Sequence, residues 1–135
     1  MNDTSPDGLS FNRLRIANQK RANLWNRGVP TSPMFCMIEL AGEVGEACNA
    51  MKKMERQSLE MVGGANDNGN LADELADVVI CADLAAMAMG VDLGEAVARK
   101  FNKTSRKHGF DVLLPQQDEQ HPRPGTIDGG DRCSS

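Results

Sequence analysis

Two pairs of acids are the residues of this chain best placed to do chemistry. Glu43 and Glu46 lie in MFCMIELAGEVGEACNAMKKM, residues 34–54, and Glu74 and Asp77 lie in LADELADVVICADLAAMAM, residues 71–89. Both stretches carry apolar residues at helical spacing. Residues three apart on a helix share a face, so each pair sets two carboxylates side by side. Acids brought together in a core repel one another unless a cation stands between them. Glu39, one turn before Glu43, extends the first pair into a stripe. The pattern points to a metal site.

The ligand types narrow the metal. Di-iron bundles use Glu-x-x-His motifs that project inward, and neither acid pair has a histidine. His108 falls at the end of a predicted helix and His121 in a polar C-terminal stretch. Cys36, Cys48, Cys81 and Cys133 are widely spaced without a Cys-x-x-Cys, which argues against zinc. The first three fall at helix positions expected to face the core, as reduced thiols of a cytoplasmic protein. Oxygen ligation suits Mg²⁺, with Mn²⁺ as a substitute. Magnesium commonly joins carboxylates to substrate phosphates. Lys100, Lys103, Arg106 and Lys107 supply cations for such a polyphosphate.

The elements that must position these residues are helices. The chain has 135 residues, enough for one domain, with 40% hydrophobic but only 4% aromatic residues. Ala, Met and Leu carry the apolar load, which favours helix over strand. The net charge of −4 argues against direct nucleic-acid binding. No uncharged apolar run reaches ~18 residues, so no membrane span is expected. The polar start MNDTSPDGLS lacks an apolar signal segment, which fits a cytoplasmic location.

Residues 1–8 are expected to be disordered. Ser10 can cap a first helix running to about Asn26, with a thin stripe of Phe11, Leu14, Ala17, Leu24 and Trp25. As the only Trp of a small domain, Trp25 is expected in the core; stacking on a base is its functional alternative. Ser32 and Pro33 start a second helix. Its stripe of Met34, Met37, Ile38, Ala41, Val44, Cys48 and Met51 is expected to face the core. Gly42 and Gly45 are expected to admit a close neighbour, because glycine within a helix costs about 1 kcal/mol against alanine.

Asn70 is read as the cap of a third helix, apolar nearly all round and so expected in both the core and a subunit interface. Asp73 and Asp83 on it are expected to be cap, solvated or interface charges. Gly90 ends that helix, and Asp92-Leu-Gly-Glu95 opens a fourth that stops at Gly109. Residues 111–135 read as a mobile tail.

With these motifs in hand, the chain resembles the MazG-like all-α nucleoside triphosphate pyrophosphohydrolases. The resemblance runs over about residues 34–110. It rests on Glu43-Val-Gly-Glu46, on Glu74-Leu-Ala-Asp77, and on KFNKTS with Lys100, Asn102 and Lys103. It implies an all-α bundle of four to five helices over residues 1–110, completed by oligomerisation into a homodimer or homotetramer. It also implies Mg²⁺-dependent hydrolysis of a (deoxy)nucleoside triphosphate to the monophosphate and pyrophosphate, as nucleotide-pool house-cleaning.

Glu43, Glu46, Glu74 and Asp77 would hold the metal, and Glu43 or Glu39 would orient or deprotonate the attacking water. Lys100, Asn102, Lys103 and Arg106 would contact the substrate. Many relatives carry a further Glu directly before the first signature acid. Gly42 stands there in this chain, and Glu39 is the candidate replacement. The competing reading is a non-catalytic helical dimerisation or regulatory module with a structural Mg²⁺ site.

Overall fold

A computed structural model of the chain describes residues 8–66 and 68–116, and these form four α-helices without strands. They are α1 (Phe11–Trp25), α2 (Pro33–Ser58), α3 (Asn68–Ala88) and α4 (Leu93–Lys107). The chain divides into two compact units, residues 1–94 and 95–135.

Local chemistry sets the helix ends. Ser10 Oγ accepts from the backbone N–H of Arg13, and Ser32 Oγ from that of Phe35, each satisfying a donor that the first turn leaves unpaired. Pro33 occupies the first turn of α2, where its missing N–H costs nothing. Gly90, after α3, adopts φ +68, the left-handed conformation that glycine enters freely. The third helix begins at Asn68, so Asn70 lies within it rather than capping it. After α2 the chain folds back on that helix: Ala65 N–H donates to Lys53 O, and a Cβ on Gly64 would stand 2.5 Å from Gln57 N.

In the first unit α2 packs along α3, and α1 packs on α3 less extensively. The first pair is antiparallel. Glu46, midway along α2, meets Glu74 near the start of α3, whereas Phe35 and Cys36 share a cavity with Leu84. The face that α2 buries or half-buries carries Cys36, Leu40, Glu43, Ala47, Ala50 and Met54. The expected apolar stripe does not face the core: Met34, Met37, Ile38, Val44 and Met51 are exposed, as is Cys48. Burying small residues lets α2 and α3 approach closely, and this turns the larger apolar side chains outward.

Leu75 and Val79 are exposed in the single chain, so its own core covers only part of α3. Among the described residues, nothing beyond their own helix comes within 4 Å of a Cβ built on Gly42 or Gly45, so none of these residues makes the close approach expected there.

The first helix is held by polar groups. Its only buried residue is Asn18, while Leu24 and Trp25 are exposed, Trp25 at 82%. The expected place of Trp25 in the core is therefore wrong. Arg15 pairs with Asp83 at 2.8 Å, and Asp83 is 1% exposed. Asn18 Nδ2 donates to Asp83 Oδ2 at 2.9 Å and to Ile80 O at 3.3 Å. Arg15 Nη2 also donates to Val91 O. Asp83 is thus a buried anchor rather than a solvated, capping or interface charge; its apolar neighbours in sequence conceal that role.

In the second unit, Asn102 is buried and its amide is engaged at both ends. Nδ2 donates to Leu114 O at 2.8 Å, and Oδ1 accepts from Leu114 N–H at 2.7 Å. Residues 111–116 are thereby tied to α4, unlike the mobile tail expected from 111 onward. The rest of that tail, and residues 1–7, lie outside the described residues.

Removing one partner of a buried pair leaves an uncompensated charge. Arg15→Ala strands the Asp83 carboxylate with Asn18 alone, and chemical denaturation is expected to show a loss of about 3 kcal/mol. A loss below about 1 kcal/mol would mean that the pair behaves as a surface ion pair.

Candidate metal and substrate site

The acids meet where α2 crosses the start of α3. Glu43, Glu46 and Glu74 each offer a carboxylate oxygen, and these atoms all lie within 4.8 Å of one another. Glu43 and Glu74 are half-buried and Glu46 is exposed. Burial raises the Glu43 pKa above the ordinary carboxylate value, and Asp77, Glu46, Glu74 and Glu39 raise it further through their charge. Burial also raises Glu74, Glu46 adds to this by charge and by a hydrogen bond, and Asn70 opposes it. Asn70, displaced from its expected cap position, thus acts on a member of the acid cluster. Among the described residues, no basic side chain forms an ion pair with these acids.

A cavity of about 280 Å³ adjoins the cluster. Glu43 belongs to both. Glu39 and Asp77 line the cavity but stand outside the three-acid group, so the structure divides the five candidate acids into overlapping sets. Trp25 and Phe35 give the cavity aromatic surface, and Arg21 gives it a cation. Cys36 and Cys81 also line it. Burial pushes the Cys81 thiol pKa up, and Glu43, Glu39 and Asp77 push it further, which keeps this thiol protonated and makes it a poor metal ligand.

The donor set fits a hard divalent cation. It is all carboxylate, closely spaced and without an internal counter-charge, the pattern that suits Mg²⁺ or Mn²⁺. The cationic candidates Lys100, Lys103 and Arg106 are exposed on α4, within the second unit. Asn102 is turned to the backbone of Leu114, and its burial gives it a structural task in that unit.

Arg21, Phe35 and Cys36 are cavity residues that the sequence reading did not single out as site residues. Arg21 sits one turn before Trp25, a spacing that marks a shared helix face without saying what that face meets.

The family model for the MazG nucleotide pyrophosphohydrolase domain matches residues 32–110, which span α2, α3 and α4. No curated protein and no solved structure matches the chain.

The crowded acids have a consequence for stability. Glu43 and Glu74 have raised pKa values in the fold, so in the carboxylate range these two groups hold more protons folded than unfolded. Metal-free protein is therefore expected to gain stability as pH falls into that range and to lose it as pH rises toward neutrality. Glu43→Gln removes one repelled charge. In chelator at pH 7 it is expected to melt at a higher temperature than the wild type, with the gap closing on acidification. An unchanged or lower melting temperature at pH 7 would contradict the repulsion.

Proposed function

Because residues 32–110 match that family model, the chain belongs to the MazG nucleotide pyrophosphohydrolase domain family, and we propose that it hydrolyses (deoxy)nucleoside triphosphates to the monophosphate and pyrophosphate with Mg²⁺. The observation that carries this reading is the Glu43–Glu46–Glu74 cluster, opening onto a cavity with aromatic walls. The match to a pyrophosphohydrolase domain, together with a cavity beside the acids, weighs against a purely structural module.

Glu43, Glu46, Glu74 and Asp77 would hold Mg²⁺, or Mn²⁺ in its place. The bound ion would polarise the α-phosphoryl group and offset charge on the departing pyrophosphate. Glu43 is committed to the cluster, which leaves Glu39, in the cavity but outside that cluster, to orient the attacking water and take its proton. The water oxygen bonds to the α-phosphorus, the α–β phosphoanhydride bond breaks, and its electron pair leaves with pyrophosphate.

Trp25 offers an exposed indole beside the acids on which a base can stack. Lys100, Lys103 and Arg106 would add phosphate contacts, an assignment that rests on the KFNKTS resemblance. Asn102 is not carried into this role, because Leu114 uses both ends of its amide. The exposed apolar flank of α2 and α3 supports work as a homodimer or homotetramer, and the protein is expected to act in the cytoplasm. Among the described residues, no helix is long and apolar enough to cross a membrane.

A panel of nucleoside and deoxynucleoside triphosphates with Mg²⁺ tests the reading. At least one is expected to yield pyrophosphate and monophosphate, with activity lost in chelator. Glu74→Gln and Asp77→Asn are each expected to lower kcat about a hundredfold or more while keeping the helical fold. Full activity in both variants would remove these residues from the metal site.

A further inference from the structure

The cavity beside the acids contains a cation whose setting is more specific than that of a surface arginine. Arg21 Nη2 donates to Asn18 Oδ1 at 3.3 Å. Asn18 is 2% exposed, and its orientation is dictated. Both of its other neighbours, Ile80 O and the Asp83 carboxylate, accept hydrogen bonds, so Nδ2 must face them and Oδ1 must face away. The outward oxygen then requires a donor, and Arg21 supplies it. Arg15 and Asp83 hold the far end of this chain of contacts at 2.8 Å.

Among the described residues, this is the only hydrogen bond of the Arg21 guanidinium, which has five N–H donors. The helix register places the remaining donors. Arg15 meets Asp83, and Asn18 meets Asp83 and Ile80. One further turn of the antiparallel pair α1–α3 brings Arg21 level with Asp77, and the two residues line one cavity with Glu39 and Glu43. A guanidinium held by Asn18 and lining one cavity with carboxylates is matched by an anion that brings its own divalent cation.

We propose that Arg21 is a substrate-binding residue that contacts phosphate oxygens of a Mg²⁺-bound polyphosphate from the wall opposite the α2 and α3 acids, with Asn18 as its positioning residue. This rests on the proposed pyrophosphohydrolase reading and adds a phosphate contact from α1, which lies outside residues 32–110. The planar guanidinium suits paired phosphate oxygens better than an ammonium does.

The test uses the full chain loaded with Mg²⁺ and inorganic triphosphate as the probe, so that no base enters the comparison. Arg21→Ala is expected to weaken triphosphate binding about ten- to hundredfold by calorimetry, and Arg21→Lys to recover part of it. Arg21→Ala is expected to lower the melting temperature, because Asn18 Oδ1 loses its donor, so affinities are compared at a temperature where every variant is folded. With a nucleoside triphosphate that the wild type turns over, KM should rise in the same order. Wild-type affinity in both variants would overturn the inference.

Triphosphate bound by the wild type but no nucleotide hydrolysed would overturn the catalytic reading alone, and the Arg21 comparison would still decide this one. No binding to the Mg²⁺-loaded wild type would overturn both.

Discussion

Repulsion among carboxylates on α2 and α3 is the constraint on which the rest of this structure depends. Two long helices pack along each other, with Ala47 and Ala50 buried on α2, and this packing carries Glu43 and Glu46 against Glu74. Among the described residues no basic side chain pairs with them. The raised pKa values of Glu43 and Glu74 record partial removal from water first and the like charges around them second. A fold retains such a cost where the charges have a ligand to bind, and in the proposed function a divalent cation with a phosphate substrate would remove the repulsion and use it.

The first helix serves the same end by different means. It has few buried apolar side chains, so it is fixed to α3 by Arg15, Asn18 and Asp83. Directional hydrogen bonds set a helix's rotation more tightly than a thin apolar stripe would. The rotation they select points Arg21, Trp25 and Asn26 into the cavity and leaves Trp25 exposed. A lone Trp outside the core, beside acids, has more use as a stacking surface than as packing.

The starts of α1 and α2 and the end of α3 were legible because they depend on neighbours three or four residues away. Ser10, Ser32, Pro33 and Gly90 act where their chemistry says they should. The face that α2 buries was not legible. Its richest apolar stripe, through Met37, Val44 and Met51, points outward, and the buried face pairs alanines with a glutamate. Periodicity finds the most apolar face, whereas helix packing here follows the smallest side chains.

Asp83 was misread for a related reason. A single acid in an apolar helix takes its meaning from Arg15 and Asn18, well over sixty residues away in sequence. Within the site, spacing alone could not tell that Asp77 and Glu39 stand apart from the three-acid group, because that division depends on how α2 and α3 cross.

The central claim is that these acids direct water to the α-phosphorus of a nucleoside triphosphate. Hydrolysis in ¹⁸O-labelled water, followed by mass analysis of the products, tests it most directly. The account predicts label in the nucleoside monophosphate and none in the pyrophosphate, with no reaction when Mg²⁺ is removed. Label in the pyrophosphate, or release of orthophosphate in its place, would contradict it.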